Sequence, residues 1–270
     1  MSETRYNFDD LKLLMSRLRD PKTGCPWDVE QNYRSIVPHT LEEVYEVIDT
    51  IEREDYEHLS EELGDLLFQV VFYAQIAEEE HRFVLDDVIH KLVAKLIYRH
   101  PHVFPEGSLY QVNEQQLDVA EIQYQWEELK QQEKRPAKVL DDVPKALPGM
   151  LRAKKLQKKA AKVGFDWPDV SHVIDKAYEE LAELQEAIAE GNQQDIEGEL
   201  GDLLFVLANV ARHCHIDPEQ AVRSTNRKFE NRFDYIESQV QQSGKDWSAF
   251  DLEALDAFWD EAKEIERSDK

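Results

Sequence analysis

Apolar residues recur at helical spacing in two separate parts of the chain. The intervals between them are mostly three and one, which places each set on one side of an α-helix. The two sets are Leu63, Leu66, Leu67, Val70, Val71 and Ala74, and Leu200, Leu203, Leu204, Leu207, Ala208 and Ala211. No stretch of useful length alternates between apolar and polar residues as a half-buried strand does. The pattern therefore predicts an all-α protein.

The chain contains an internal repeat, which indicates two structurally similar domains. The sequence Glu-Leu-Gly-Asp-Leu-Leu-Phe occurs at 62–68 and again, 137 positions later, at 199–205. Three further residues recur with an offset of 133. These are Lys95, Arg99 and Trp126, which match Lys228, Arg232 and Trp259. We therefore expect two tandem helical bundles, each a unit of the four-helix-bundle type with short loops between antiparallel neighbours.

Prolines and glycines predict where the helices and domains end. Pro136, Pro144 and Pro148 lie in a polar stretch and predict a linker over 136–148, between domains at 1–135 and 149–270. Thr40, followed three residues later by Glu43, resembles a capping box and predicts a helix start just after a proline. The pair at 191–192, Gly-Asn, predicts the end of the corresponding helix in the second copy.

Each copy of the repeat carries four carboxylates at the same spacing. They are Glu43, Glu46, Glu62 and Asp65 in the first copy, and Glu180, Glu183, Glu199 and Asp202 in the second. Residues three apart share a helix face, and an antiparallel hairpin would bring the two pairs of each copy face to face. A solvated acidic surface is the simpler interpretation of one such pair. The same four carboxylates recur beside the same apolar residues in both copies, which favours a metal site. A site with only oxygen ligands selects Mg²⁺ or Mn²⁺.

Cations near the second copy suit a phosphate ligand. Lys228 and Arg232 are four residues apart on one predicted helix face, and Asn226 precedes them. Surface pairing with glutamates would explain the same spacing. A basic run without counterpart in the first copy favours the second as the phosphate site. Its members are Arg152, Lys154, Lys155, Lys158, Lys159 and Lys162. Trp259 either stacks on a base or packs in a core.

Composition excludes several classes of protein. The 270 residues include 57 Asp and Glu against 32 Lys and Arg, a net charge of −25, which is unfavourable for binding nucleic acid. No apolar run approaches the length of a membrane span, and the first ten residues do not resemble a secretory signal. Two cysteines cannot form a disulfide framework. We therefore expect a cytoplasmic protein that binds neither membranes nor nucleic acids.

Several local signatures, together with the repeated carboxylates, resemble those of the MazG family of nucleoside triphosphate pyrophosphohydrolases in its two-domain form. They are Gly-Cys-Pro-Trp-Asp at 24–28, Arg-His-Pro-His-Val-Phe at 99–104, Val-Gly-Phe-Asp-Trp at 163–167 and Asn-Arg-Lys-Phe-Glu-Asn-Arg-Phe at 226–233. The resemblance covers nearly the whole chain. It implies an all-α homodimer that uses Mg²⁺ to hydrolyse NTPs and dNTPs to the monophosphate and pyrophosphate, mainly in the C-terminal domain.

The resemblance also implies roles for individual residues of the second copy. Glu180, Glu183, Glu199 and Asp202 would hold Mg²⁺, and Glu180 and Glu183 would thereby be catalytic. Glu179 would orient or activate the attacking water. The expected substrate contacts are Lys228 and Arg232 to the phosphates, Trp259 to the nucleoside and Asn226 as a further polar contact.

The two copies depart from each other at two relevant positions. Gly198 stands where the first copy has Glu61, so the second copy lacks one carboxylate there. Val93 stands where the second copy has Asn226, which weakens the nucleotide site of the first copy without removing its carboxylates. The sequence leaves open whether the first copy is active.

Two other functions fit the same residues. A helical metal-binding protein would keep the scaffold as an interaction module, and a phosphatase would release inorganic phosphate stepwise from the same metal site. The sequence determines neither the phosphorus that is attacked nor the base preference. It also does not establish whether guanosine polyphosphates are substrates.

Overall fold

The computed structural model describes residues 5–111 and 138–268, and between them residues 118, 121, 122, 126 and 129. Over these residues it contains α-helices, turns and loops and no strand, which confirms the predicted all-α fold. The chain divides into two compact units, 1–134 and 135–270. The predicted boundary between residues 135 and 136 lies outside the described residues.

The first unit contains five described α-helices, which enclose one apolar core. They are α1 (Phe8–Leu18), α2 (Pro26–Glu30), α3 (Tyr33–Glu52), α4 (Tyr56–Glu79) and α5 (Leu85–Arg99). α3 and α4 form a hairpin, and α4 also packs against α1 and α5. Met15, Ile36 and Phe72 are almost fully buried between these helices. Arg19 covers this core, with its guanidinium 5.1 Å from the centre of the Phe72 ring and a two-point ion pair to Glu79.

The second unit also contains five described α-helices. They are α6 (Gly149–Ala161), α7 (Val170–Glu190), α8 (Gln193–His213), α9 (Pro218–Ser243) and α10 (Leu252–Ser268). α7 and α8 form the hairpin that corresponds to α3–α4, and α6 packs against α8. α9 packs against α10 and against α6. The hairpin of α7 and α8 therefore shares one neighbour, α6, with the α9–α10 pair.

The turns of the two hairpins have the same backbone conformation. Gly191 ends α7 in the left-handed region at φ 76°, and Asn192 then caps α8 by accepting a hydrogen bond from Gln194 N. This confirms the predicted helix end. In the first unit the matching turn is made by Glu54 at φ 58° and by the capping residue Asp55. A left-handed residue is thus required at this turn in both copies.

The predicted helix start at Thr40 is wrong. α3 begins two turns earlier, where Asn32 and Ser35 form a capping box. Pro38 lies inside the helix, where it removes only the N–H that would bond the carbonyl of Arg34. Thr40 instead donates its hydroxyl to the carbonyl of Ile36 within the helix.

The apolar residues of α4 and α8 are divided between the core and the protein surface. Val71 and Ala74 of α4, and Ala208 of α8, are buried as the pattern predicts. Other members of the same sets stay exposed: Leu63, Leu67 and Val70 on α4, and Leu200, Leu204 and Leu207 on α8. Both hairpins therefore present an apolar outer face.

Within the described ranges, no helix combines the length and the apolar content that crossing a bilayer requires.

Candidate functional site

The hairpin of α7 and α8 brings the four carboxylates of the second copy together. Glu180, Glu199 and Asp202 each offer an oxygen, and these atoms lie within 4.8 Å of one another. Glu183 joins them through a hydrogen bond to Glu180 and through its electrostatic interaction with Glu199. We call these four residues the second quartet.

Burial and the repulsion between neighbouring carboxylates change the pKa of a residue in the second quartet. Glu180 is buried, with 5% of its surface exposed. Partial desolvation, the hydrogen bond with Glu180 and the charges of Glu180 and Glu199 raise the pKa of Glu183, and Lys176 opposes the shift. Carboxylates held this closely are stabilised by a bound cation, because a cation offsets both their repulsion and their desolvation.

A lysine that the sequence analysis did not single out occupies the edge of the second quartet. Lys176 Nζ lies 2.7 Å from Glu180 Oε1 and 2.8 Å from Glu179 Oε1. These hydrogen bonds raise the pKa of Lys176. The signal was present in the sequence, because a lysine three and four residues before two glutamates faces both of them on a helix. Glu179 lies beside the quartet and is exposed.

The first unit assembles a corresponding cluster, the first quartet. Carboxylate oxygens of Glu43, Glu46 and Glu62 lie within 4.8 Å of one another. Desolvation first, and then the charges of Asp65 and Glu46, raise the pKa of Glu43; desolvation and the same two charges raise the pKa of Glu62. His39 stands at the position of Lys176 and lies 3.7 Å from Glu42. The first quartet therefore lacks the lysine of the second.

The predicted phosphate and nucleoside residues form a second group, on α9 and α10. Arg232 makes a two-point ion pair with Glu266, with N–O distances of 2.7 to 3.2 Å. Its guanidinium carbon lies 5.2 Å from the ring centre of Trp259, which packs 5.3 Å from the ring of Phe229. The first copy repeats this arrangement, with Arg99 5.9 Å from the Trp126 ring.

Lys228 and Asn226 are exposed on α9. Among the described residues, no hydrogen bond or ion pair joins Lys228, Arg232 or Asn226 to the second quartet. The packing of α9 explains this, because α9 lies mainly against α10 and makes a smaller contact with α6. The structure thus groups Arg232 with Trp259 but does not bring these two residues into contact with the carboxylates.

The basic run predicted as a phosphate site lies on α6. Lys154 donates to the carbonyl oxygen of Ile216 at 2.6 Å, and Lys159 forms an ion pair with Asp142. Lys155 is exposed. Two of the lysines are therefore engaged in holding α6 against neighbouring segments, and a phosphate role for the run stays a prediction.

A cavity of about 720 Å³ opens beside the second quartet. Lys176, Glu180 and Asp202 line one part of it, and α6, α8 and the loop before α7 supply the other walls. This cavity is not predictable from local sequence patterns, because its walls come from segments that are far apart in the chain. The arrangement places a carboxylate cluster at the edge of a space large enough for a small organic ligand.

Comparison with known proteins gives two independent matches to one family. The family model described as "MazG nucleotide pyrophosphohydrolase domain" matches residues 31–104 and 170–236. Each matched segment includes one of the two quartets.

Three relatives are similar to this protein over almost the whole of its chain. A protein of Escherichia coli strain K12 named nucleoside triphosphate pyrophosphohydrolase is 45% identical over 263 residues, which are 96% of this chain and 97% of the relative. A Thermotoga maritima protein named nucleoside triphosphate pyrophosphohydrolase/pyrophosphatase MazG is 40% identical over 97% of this chain and 98% of its own length. The uncharacterized protein YabN of Bacillus subtilis is 43% identical over 97% of this chain and 53% of its own length.

Proposed function

The chain belongs to the MazG nucleotide pyrophosphohydrolase family, and on that premise we propose that it hydrolyses NTPs and dNTPs to the monophosphate and pyrophosphate. The reaction uses Mg²⁺, for which Mn²⁺ can substitute, and it proceeds mainly in the second unit. The observation that carries the proposal is the second quartet at the edge of the cavity. Such an enzyme serves to clear or regulate nucleotide pools, and the two free cysteines are compatible with the cytoplasm.

The donor set fits a hard divalent cation. Glu180, Glu199 and Asp202 offer oxygens close enough to share one ion, and Glu183 adds a fourth carboxylate. Lys176 already places one positive charge against Glu180. We propose that the quartet holds Mg²⁺, which when bound would lower the pKa of a water molecule and offset charge on the phosphates.

Glu179 is the residue that we propose to orient the attacking water and accept its proton. Its carboxylate is exposed and adjoins the quartet without belonging to it, and because Lys176 contacts Oε1, the proton would go to Oε2. Lys176 contacts both Glu179 and Glu180 and can therefore fix the position of that base. Lys176 also lines the cavity, where it would add positive charge near the phosphates.

The cations of α9 are proposed to bind the polyphosphate. Lys228 is exposed, and Arg232 presents a planar fork that suits phosphate oxygens as well as it suits Glu266. A bound phosphate would then replace Glu266 as the group that accepts two hydrogen bonds from Arg232. Trp259, which faces that guanidinium, is proposed to contact the nucleoside, and Asn226 to add a polar contact.

We propose that the first quartet is a metal site with a lesser part in turnover. Its carboxylates are gathered as in the second unit. Two differences support the lesser role: His39 replaces the lysine, and Val93 stands in the place of Asn226.

A homodimer is proposed from the apolar outer faces of the hairpins. Leu200, Leu204 and Leu207 expose between 42% and 46% of their surface along one helix. A row of exposed leucines is unfavourable in water. The identical faces of two copies would pack against each other and remove these leucines from solvent.

A product assay tests the proposed reaction. Purified protein is incubated with one NTP and Mg²⁺, and pyrophosphate and inorganic phosphate are measured separately. Nucleoside monophosphate with equimolar pyrophosphate is the expected result. Phosphate without pyrophosphate would instead identify a stepwise phosphatase, and binding of Mg²⁺ without turnover of any NTP would favour an interaction protein.

A further inference from the structure

The segment between α6 and α7 forms one wall of the cavity and has little packing around it. We call residues 163–168 the strap; its cavity-lining members are Gly164, Phe165, Asp166 and Trp167. Phe165 is 81% exposed, and a side chain added at Gly164 would meet no other atom within 4 Å. Two backbone hydrogen bonds of 3.1 Å, from the N–H groups of these two residues, join the strap to the end of α6. Trp167 stacks on His172 of α7.

One ion pair joins the middle of the strap to α8. Arg212 donates a hydrogen bond from Nη2 to Asp166 Oδ1. Its Nε donates to Asn209 Oδ1 at 2.8 Å, which fixes the guanidinium on its own helix. His213 Nε2 lies 3.3 Å from the same oxygen of Asp166. The side chains of Arg212 and Asp166 expose only 14% and 28% of their surface, so water screens this pair less than an ion pair on the surface.

The carboxylate of Asp166 also fixes the backbone of the strap. Trp167 N donates to Asp166 Oδ1 at 2.9 Å. Burial alone would raise the pKa of Asp166, but the hydrogen bonds from Arg212 and Trp167 N and the charge of Arg212 outweigh it and hold that pKa below its usual range. Arg212 therefore faces an ionised carboxylate and positions two consecutive residues of the cavity wall.

The first unit holds the segment before its hairpin by different contacts. Arg19 is buried and donates to the backbone carbonyls of Asp28 and Gln31, just before α3. The turn at Gly24 is closely packed, because a Cβ there would lie 2.3 Å from a backbone oxygen. The segment of the first unit is thus held through its backbone in a packed environment. The strap of the second unit depends on the side chain of Asp166.

We propose that Arg212 is a positioning residue of the second unit, which holds the strap against α8 through Asp166 so that the strap forms the wall of the substrate cavity. The inference rests on the proposed function, because it requires the substrate to occupy this cavity. Among the described residues, no hydrogen bond or ion pair joins Phe165, Asp166 or Trp167 to the second quartet. Arg212 therefore acts on substrate affinity rather than on the chemical step, since a site that is correctly formed in fewer molecules binds with a proportionally higher Kd.

Steady-state kinetics of variants of the full chain test this role. Arg212→Met removes the guanidinium and keeps an apolar stem, and Asp166→Asn removes the charge of its partner. We expect KM for ATP to rise about tenfold in Arg212→Met and less in Asp166→Asn, with kcat within about twofold of the wild type. The double variant should have the KM of Arg212→Met, because both changes break one contact. Arg212→Lys, which keeps a charge for Asp166, should raise KM less than about threefold.

The repeat supplies a control at the position that corresponds to Arg212. Gln75 stands there in the first unit and donates to Glu79 of its own helix at 3.2 Å. Gln75→Met should leave KM and kcat unchanged. A variant that only destabilises the fold would reduce the amount of active enzyme, and hence the apparent kcat, without raising KM. The separation of KM from kcat therefore distinguishes positioning from a general structural role.

Hydrogen–deuterium exchange separates this inference from the proposed reaction. Exchange of the amides at 163–168 is measured by mass spectrometry in EDTA, without substrate. We expect exchange at least about tenfold faster than in the wild type for Arg212→Met, faster exchange also for Asp166→Asn, and the wild-type rate for Gln75→Met. This result supports the positioning of the strap even if the wild type fails to release pyrophosphate.

Three results would overturn the inference. The first is wild-type exchange at 163–168 in folded Arg212→Met and Asp166→Asn. The second is an unchanged KM in both variants, whether or not kcat falls. The third is a double variant whose KM exceeds that of Arg212→Met by the full effect of Asp166→Asn, because the two residues would then act independently. If Arg212→Met does not fold, Asp166→Asn and Arg212→Lys provide the same comparison.

Discussion

At the scale of single residues, the site is organised by charge. The second quartet gathers four carboxylates around Glu180, and Lys176 supplies the only positive charge that the described contacts place against them. The same arrangement without the lysine occurs in the first unit. Four carboxylates against one ammonium group leave an excess of negative charge, which a divalent cation would offset more fully than a monovalent one.

Removing the divalent cation is expected to destabilise the protein. Carboxylates that repel each other in the folded state lose that repulsion when the cation binds, so Mg²⁺ stabilises the native form. At a concentration about 100 times Kd the stabilisation is about 2.7 kcal/mol. Differential scanning calorimetry with Mg²⁺, with EDTA and with NaCl at equal ionic strength measures it. An identical Tm in all three solutions would contradict a metal site.

The α9 cations are expected to act on substrate affinity. Arg232→Lys keeps the charge and loses the fork, and Lys228→Ala loses the charge, so KM for ATP should rise about tenfold in each. The repeat supplies matched controls, Arg99→Lys and Lys95→Ala, which should change KM less than about twofold. Steady-state kinetics of the four variants measure KM for ATP. An unchanged KM in Arg232→Lys and Lys228→Ala would remove α9 from the substrate site.

At the scale of helices, the hairpin turn determines whether the two carboxylate pairs face each other. Both turns place one residue in the left-handed region, glycine in the second unit and Glu54 in the first. A side chain in that region costs about 1 to 2 kcal/mol, and glycine avoids the cost at the expense of backbone entropy.

Exchanging the two residue types at these turns should have opposite effects. Gly191→Ala is expected to lower the free energy of unfolding by about 1 kcal/mol, and Glu54→Gly to raise it by about 0.5 kcal/mol. Guanidinium unfolding followed by circular dichroism measures both. A stabilised Gly191→Ala variant would show that the left-handed turn is not required.

The sequence predicted the helices and the carboxylate clusters because both depend on local spacing. The recurring leucines determine the hairpins, and glutamates three apart remain on one face wherever the helix packs. The start of α3 was missed because Asn32 and Ser35 lie outside the apolar pattern and because Pro38 is tolerated within the helix. The cavity was missed for another reason. Its walls come from α6, α8 and the loop before α7, and the packing of α6 on α8 is not encoded by any single segment.

At the scale of the whole molecule, the chain carries two related units with different interiors. The first unit buries Phe72 where the second presents Asn209 to a cavity. The carboxylates are kept in both units, whereas the polar cavity walls are seen beside the second quartet. This division agrees with the proposal that turnover proceeds mainly in the second unit.

The exposed leucine faces should hold two copies together. Leu204→Glu on α8 and Leu67→Glu on α4 each introduce a charge into one face, which a buried interface does not tolerate without a partner charge. We expect a dimer for the wild type and dissociation to a monomer in at least one variant, measured by light scattering after size-exclusion chromatography. A monomeric wild type, or two variants that remain dimers, would contradict this interface.

The proposed reaction depends on the second quartet, and one matched pair of variants compares the two quartets. Glu183→Gln and Glu46→Gln are equivalent changes in the two copies, and each removes one charge without changing side-chain size. Pyrophosphate release from ATP with Mg²⁺ is measured for both, with circular dichroism to establish folding. We predict a loss of at least about 100-fold in kcat for Glu183→Gln and less than about threefold for Glu46→Gln. Near-normal turnover by folded Glu183→Gln would show that the second quartet does not carry the reaction.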